Sequence, residues 1–297
     1  MLSQAYQTEI EKNENHSGGE LKFRFIVFLI VILFTINSEA QSKKEWFPSG
    51  LNIQPFTANF IEPRGGSMIG LDGNRLRLDI GTSKDIFKMN SDNETISFGA
   101  DIFTYTRLRS QNSFKFPVET VDYLFGINAG YKKLNDEEEY GIRFRFSHIS
   151  AHLVDGRYSN QNNTWMDSRK PITFSKEFFE LFPYYRLHGF RIYAGISYII
   201  HILPASINKG IYQLGFDYYI LLLGCKTFTP FIAYDFKLNG INDIYSGNNI
   251  VKFGLKFGNP FNSGFSVLFS YISGKSVHGE FYDLNENYAN IGFNLDL

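Results

Sequence analysis

Hydrophobic and polar residues alternate along most of the chain from Asn74 onward. In the first run, Leu76, Leu78 and Ile80 alternate with arginine and aspartate. Successive side chains of a strand point to opposite faces, so a period of two predicts β-strands with one apolar and one polar face. About twelve such runs occur, most of them near the ~9 to 11 residues that a tilted membrane-spanning strand needs. The others are 96–102, 121–132, 140–155, 190–198, 212–222, 227–237, 250–258, 265–274 and 288–297, with weaker runs at 176–187 and 277–284.

The two faces of these predicted strands differ in composition. The apolar face is rich in Phe and Tyr and almost free of charge, whereas the polar face carries glycine and charges of both signs. The predicted fold is therefore all-β: a closed antiparallel transmembrane β-barrel of about twelve strands. Because the two signs nearly balance, we expect a filled polar lumen rather than a wide diffusion pore. The polar-face charges are Arg75, Arg77, Arg143, Arg145, Arg191, Lys252 and Lys256, with Asp79, Asp101, Asp122, Asp217, Asp235 and Asp296.

Composition and net charge exclude several other classes of protein. The 31 Phe, 18 Tyr and 26 Gly in 297 residues favour strands and turns over long apolar helices. The formal net charge of -1 provides no basic surface for nucleic acid. With one cysteine, Cys225, the chain has neither an internal disulfide nor a zinc-binding set of thiolates. We therefore expect no nucleic-acid partner and no cofactor.

The N-terminal part of the chain predicts a targeting segment. Lys22 and Arg24 precede an apolar run, 25–36, which is shorter than the ~20 residues that a spanning helix needs. The sequence 38–40, Ser-Glu-Ala, provides a cleavage site with small residues at its first and third positions. These features predict that residues 21–40 form a secretory signal peptide.

The residues on either side of the signal peptide differ from it. Residues 1–20 are too polar and charged for its N-terminal region, so we expect translation to begin near Leu21. Residues 41–73 are rich in proline and glycine, which predicts an irregular segment that plugs the barrel or leads into its first strand. The barrel itself is predicted over residues 74–297.

The C-terminal run Asn290–Leu297 gives a more specific indication of location. It has a polar residue, then glycine, then hydrophobic residues at alternate final positions, although leucine replaces the commoner terminal aromatic. This run resembles the terminal signal that the bacterial outer-membrane assembly machinery recognises. The resemblance implies the bacterial outer membrane as location, with the barrel assembly machinery as a partner of the C-terminal strand and outer-membrane lipids around the barrel.

Four short motifs occur in order along the chain. They are Phe60–Arg64, Asp122–Gly126, His148–Leu153 and Gly274–Phe281. Together they resemble the bacterial outer-membrane family called domain of unknown function 1207, and the resemblance covers essentially the whole mature chain. The sequence Val154–Gly156 departs from the Gly-Asp-Glu-like continuation of the family, so a role for the acidic position does not carry over. The family name implies no activity.

The stretch from Tyr140 to Asp155 carries the concentrated chemistry of the chain. His148, Ser150 and His152 fall on its apolar face. Residues i and i+2 of a strand point the same way, roughly 7 Å apart, so an imidazole can reach a hydroxyl and deprotonate it. The His-x-Ser spacing is similar to that on the barrel strands of outer-membrane phospholipase and lipid A deacylase, which add an Asn or Glu about a dozen residues on. That resemblance implies Asn162 as the group that orients the imidazole.

Two classes of function follow from this stretch. One is a non-enzymatic barrel with a structural, transport-related or interaction role. The other is a serine hydrolase that deacylates outer-leaflet phospholipid or lipopolysaccharide, with Ser150 as nucleophile, His148 as base and Asn162 as orienting group. A short connection precedes the strand and a long one follows it, so we expect the strand to run outward. Interfacial packing of the same residues and a metal site joining His148, His152 and Asp155 are the alternatives.

The last of the four motifs contains a second pair of polar residues. His278 and Glu280 would share one face if the weak run 277–284 is a strand. Packing at the barrel rim is the expected role of this pair.

Overall fold

The computed structural model describes residues 42–111, 113–225 and 227–296. The predicted signal peptide and the residues before it lie outside this part of the chain, as does Leu297. Within the described ranges, no helix has the length and apolar character needed to cross a bilayer.

The described residues form an all-β fold with a closed antiparallel barrel of twelve strands, as the alternation predicted. Short 3-10 turns occur at Asp155–Arg157, Met166–Ser168, Leu221–Leu223 and Gly279–Phe281. In chain order the strands are β1 (Lys43–Trp46), β2 (Gly65–Gly70), β3 (Arg75–Ser91), β4 (Glu94–Arg109), β5 (Val118–Asn135), β6 (Glu138–Leu153), β7 (Tyr158–Ser159), β8 (Thr164–Trp165), β9 (Phe174–Leu187), β10 (Phe190–Leu203), β11 (Gly210–Tyr219), β12 (Phe228–Ile241), β13 (Ile244–Phe257), β14 (Gly264–Lys275) and β15 (Asn285–Asp296).

The ring closes between strands that are far apart in sequence. β2 pairs with β15 on one side and with the first half of β3 on the other, while the remaining barrel strands pair with their neighbours along the chain. β1 pairs along the second half of β3, and β7 and β8 form a separate hairpin in the connection from β6 to β9. The barrel is therefore sealed at the junction of β2 with β15, which we call the seam.

Two elements differ from the predicted strands. β2 lies within the segment that the sequence predicted to be irregular. Its Gly65 and Gly66 have no side chains, so the sequence shows no alternation there and is typical of a loop. Conversely, 277–284 is not a strand: it is a loop that contains the 3-10 turn Gly279–Phe281. The predicted number of strands agrees with the structure because these two differences cancel.

The two ends of the barrel have different connections. At one end, here the turn end, two-residue turns at 92–93, 136–137 and 188–189 join neighbouring strands. Each turn begins with a residue at positive φ (Asp92, Asp136 and His188), as tight hairpins require. At the opposite end, the loop end, the long connection 154–173 joins β6 to β9, and the two-residue turn 242–243 joins β12 to β13. The connection 220–227, between β11 and β12, lies at the turn end.

The interior of the barrel is polar and the outer surface is apolar. Most charges predicted for the polar face are buried, among them Arg143, Arg145 and Asp122. Large aliphatic side chains point outward and stay exposed, such as Ile127 at 61% and Ile196 at 59%. The alternation of each strand thus separates charge from the outer surface of the barrel.

Two inserts fill the interior. Residues 50–64, the lumen segment, pass through it from the turn end, and Phe56, Ala58 and Asn59 are fully buried there. Phe56 stacks on Tyr193 of the barrel wall with ring centroids 4.1 Å apart. Residues 276–284, the inner loop, enter from the loop end. The lumen is therefore filled by the chain itself, as its balanced charges predicted.

Candidate functional site

A cluster of polar side chains lies on the outer face of three neighbouring strands. His148 of β6 has its Nδ1 atom 2.6 Å from Oε1 of Glu177 on β9. The other carboxylate oxygen of Glu177, Oε2, lies 2.7 Å from Nδ1 of His201 on β10. The three residues are cross-strand partners, so the strand register holds them in one row. We call this row the outer cluster.

A β-bulge places His201 in the outer cluster. The register of β10 against β9 shifts between Ile199 and His201, and Ile199 is fully buried inside the barrel. Without the extra residue, strict alternation would also turn His201 inward. Sequence reasoning missed His201 for this reason, and it missed Glu177 because the strand pairing is not visible in the sequence.

The predicted catalytic residues are only partly brought together. His148 and Ser150 share the outer face of β6, but no hydrogen bond joins their side chains. Asn162 lies exposed in the connection after β6, where its backbone N–H donates to Ser159 Oγ at 3.3 Å. The described structure gives no contact between Asn162 and His148, and the side chain that contacts His148 Nδ1 is that of Glu177.

The metal alternative has no support in the described residues. The ring of His152 lies 6.0 Å from that of Tyr123, and Asp155 is exposed in the first 3-10 turn. Across the described ranges, no group of three or more His, Cys, Asp or Glu side chains is arranged to hold a metal ion.

The outer cluster has a defined chemical capacity. A carboxylate that accepts from Nδ1–H fixes the imidazole tautomer and leaves Nε2 as a base. Ser150 is the hydroxyl two residues from that base along β6. The arrangement is that of a carboxylate–imidazole–hydroxyl triad in which the bond from hydroxyl to imidazole is not formed.

The inner face of β6 holds the lumen segment through ion pairs. Arg143 donates to both carboxylate oxygens of Glu62, at 2.9 and 2.5 Å, and Asn59 Nδ2 donates to the same group at 2.8 Å. Next along the strand, Arg145 donates through Nε to Glu180 at 2.7 Å. Burial alone would raise the pKa of Glu62, but the charges of Arg143 and Arg145 outweigh it and lower the pKa to about 2. The carboxylate is therefore held ionised in the interior.

Other charged residues of the barrel wall bind the backbone of the lumen segment. Arg191 donates to the carbonyl oxygens of Gln54 and Pro55, at 2.8 and 2.6 Å. Asp217 accepts from the Thr57 N–H at 3.0 Å, and Lys252 donates to the Thr57 carbonyl at 3.0 Å. These bonds satisfy backbone groups that the irregular segment cannot pair within itself.

The inner loop is held in the same way at the loop end. His278 Nδ1 and the Gly279 N–H each lie 2.7 Å from an oxygen of Asp122. Glu280 accepts from the N–H groups of Leu153 and Ile172, at 3.0 and 3.2 Å. Burial raises the pKa of Glu280 in spite of these two bonds. The expectation of rim packing was wrong, because His278 and Glu280 are 3% and 1% exposed inside the barrel.

In the described part of the chain, two cavities of the interior lie against the lumen segment, and sequence reasoning gave no signal for either. One, of about 240 Å³, lies toward the turn end against Phe56 and Thr57 of the lumen segment. The other, of about 120 Å³, lies toward the loop end against Phe60 and Ile61. Ala58 and Asn59, which lie between these contacts along the lumen segment, are fully buried.

Comparison with known families confirms the family resemblance over the range that holds three of the four motifs, and Phe60–Arg64 lies outside the match. The model of the family described as "Protein of unknown function (DUF1207)" matches residues 121–296. No curated protein matches the chain.

Solved structures with a similar fold are bacterial barrels of low sequence identity. The beta domain of the Bordetella autotransporter BrkA is 10% identical, with a TM-score of 0.40 over 79% of this chain and 97% of that one. The translocator domain of the autotransporter NalP from Neisseria meningitidis is 9% identical, with a TM-score of 0.35 over 79% and 85%. The outer membrane protein OprD from Pseudomonas aeruginosa is 8% identical, with a TM-score of 0.31 over 74% and 75%.

Proposed function

The chain belongs to the DUF1207 family of proteins of unknown function, and we propose that it is an outer-membrane β-barrel closed by its own chain rather than a wide diffusion pore. The observation that carries this proposal is the buried pairing of Glu62 with Arg143. It fixes the lumen segment across the interior, where a diffusion pore would need open water. Breaking a buried ion pair of this kind costs free energy, so the segment stays in the interior and keeps the barrel closed.

The outer surface supports the membrane location. Large aliphatic side chains are exposed around the barrel, including Ile102, Leu214 and Ile291 at more than half of their surface. Soluble monomers rarely expose apolar area on this scale, whereas a barrel in lipid requires it. Barrels of this class place short turns in the periplasm and long loops outside. The turn end would then face the periplasm, and the loop end the cell exterior.

Conductance measurements in planar bilayers test this function. The wild-type chain is expected to show no large steady conductance. Glu62→Ala leaves Arg143 without its carboxylate partner, so this variant is expected to show opening events. Glu137→Ala, in an exposed two-residue turn, is the matched control and should behave as wild type. A large steady conductance of the wild-type chain would contradict the proposal.

A second candidate function is hydrolysis of acyl esters in outer-leaflet lipid. The observation that favours it is the 2.6 Å contact between Glu177 and His148 Nδ1. Ser150 Oγ would attack the ester carbonyl while its proton passes to His148 Nε2 and then to the leaving alcohol. Water would next cleave the acyl-serine and release the fatty acid, which restores the hydroxyl. Glu177 replaces Asn162 as the orienting group of this proposal.

Release of fatty acid from phospholipid and lipopolysaccharide tests the second candidate. Purified wild-type chain in detergent should release fatty acid, and Ser150→Ala should not. Glu177→Gln should lower the rate by roughly tenfold or more, because a neutral amide orients the His148 imidazole less strongly than a carboxylate does. Asn162→Ala should leave the rate unchanged. Equal background rates for wild type and Ser150→Ala would eliminate the hydrolase.

A further inference from the structure

The loop-end cavity has apolar walls supplied by three parts of the chain. Phe60 and Ile61 come from the lumen segment, Ile149 and Ile199 from the strands, and Val277 from the inner loop. Asn208 and Lys275 of the loop end, which are half-buried, complete the lining and leave the cavity accessible from that end. The cavity is a concave apolar site with a few polar groups, as ligand sites usually are.

The polar groups of this cavity are unusual in charge. Three lysines line it, Lys176, Lys237 and Lys275, against one acidic residue, Asp235. The imidazole of His278, which also lines it, is bonded to Asp122. Asp235 is already engaged through Oδ2 by Tyr193 and Gln213. The cavity therefore carries an excess of positive charge.

None of the three lysines has an ion-pair partner among the described residues. Lys237 donates to the neutral Asn59 Oδ1 at 3.3 Å, and Lys275 to the carbonyl of Asp283 at 2.9 Å. The Lys176 ammonium lies 4.9 Å from the ring centroid of Phe178, and this ammonium forms no hydrogen bond within the described part of the chain. Lys176 and Lys237 are half-buried and lie on the inner face of the barrel with no carboxylate of the described residues in ion-pair contact, and a bound anion would supply that contact.

We propose that the loop-end cavity binds a small monocarboxylate with an apolar body. The carboxylate would face Lys176 and Lys237, and the body would pack against Ile149, Ile199 and Phe60. The volume of about 120 Å³ limits the body. An apolar cavity of about 150 Å³ holds benzene, so a body of roughly six carbons is the expected size.

Calorimetric titration of the full chain in a non-ionic detergent tests this site with three probes. Hexanoate should bind. The neutral 1-hexanol lacks the charge and acetate lacks the body, so each should bind about tenfold or more weakly than hexanoate. Equal binding of 1-hexanol and hexanoate would overturn the role of the lysines, and absence of hexanoate binding would overturn the site.

Variants locate the binding within the cavity. Lys176→Met keeps the apolar stem and should weaken hexanoate binding by about tenfold or more, whereas Lys176→Arg should keep it within a few-fold. Lys170→Met removes an exposed ammonium of the connection before β9 and is the matched control. Lys237→Met provides a second test if Lys176→Met does not fold. An equal loss in Lys170→Met, or no loss in both cavity variants, would overturn the proposal.

Discussion

The two faces of β6 both carry polar side chains, but each set depends on a different part of the chain. On the inner face, Arg143 binds Glu62, which is 81 residues away in sequence and belongs to the lumen segment. On the outer face, His148 binds Glu177 of the adjacent strand. The inner pair is almost fully buried, whereas His148 and Glu177 are 39% and 29% exposed. The inner face therefore holds the lumen segment, and the outer face leaves His148 and Glu177 partly accessible.

The environment decides how much each pair contributes to stability. Removing one partner of a buried ion pair leaves the other charge buried without a partner. This lowers the free energy of unfolding by about 3–5 kcal/mol. Ion pairs that stay partly exposed contribute about 0–1 kcal/mol. The predictions below test this contrast, beginning with the largest expected effect.

Arg145→Ala should produce the largest loss of stability. The substitution leaves Glu180 buried without the guanidinium that binds it, and it removes the charge 4.0 Å from Glu62. The free energy of unfolding should fall by about 3–5 kcal/mol. Urea titration of the detergent-purified barrel, followed by tryptophan fluorescence, measures this value. His148→Ala on the opposite face is the matched control, and an equal loss there would refute the contrast.

Glu62 should make the stability of the barrel depend on pH. Its pKa in the folded chain, about 2, lies below the ordinary value of 4.5. The ionised carboxylate therefore stabilises the fold fully above pH 4.5, by roughly 3 kcal/mol, and this contribution disappears as the pH falls toward 2. Glu62→Gln, which keeps the shape, should differ most from wild type near pH 7 and least near pH 2. A difference that does not change with pH would show that the charge of Glu62 is not what holds the segment.

Gly279→Ala should have an intermediate effect, because it tests the contact of the inner loop with the inner face of β6. A Cβ atom at this position would lie 2.4 Å from Phe174 Cδ1 and 2.7 Å from Ala151 Cβ. Overpacking of this kind costs about 1–3 kcal/mol. Gly50→Ala is the matched control, since a Cβ there meets nothing within 4 Å. Equal stability of the two variants in urea would show that the inner loop is not packed against β6.

Glu177→Gln should have the smallest effect on stability. The carboxylate is partly exposed, and so are the side chains of His148 and His201 that contact it. The free energy of unfolding should change by less than about 1 kcal/mol. The same urea titration measures it, with Arg145→Ala as the reference for a buried pair. A loss as large as that of Arg145→Ala would make the outer cluster a structural element rather than an accessible one.

The fold was predictable because alternation records which face of each strand is polar. The same signal fails wherever a strand lacks side chains or gains a residue. Gly65 and Gly66 concealed β2, and the bulge before His201 reversed the face on which that residue lies.

The candidate site was predictable only in part. His148 and Ser150 follow from the period of one strand, but Glu177 depends on which strand pairs with β6. The inner loop was misassigned because His278 and Glu280 bind Asp122 and the backbone inside the barrel, and these partners are distant in sequence. Sequence periodicity describes a strand, and it does not describe what an irregular insert will bind.

The seam between β2 and β15 has a consequence for assembly. Contacts between strands so distant in sequence form slowly, since a long chain must be ordered before they are made. The lumen segment ends with Pro63 and Arg64, directly before β2. It contacts β6, β10, β12 and β13 through hydrogen bonds that do not involve the seam. These contacts can therefore form, and hold the wall strands together, before β2 pairs with β15. The segment that we propose closes the folded barrel would then also order its strands during folding.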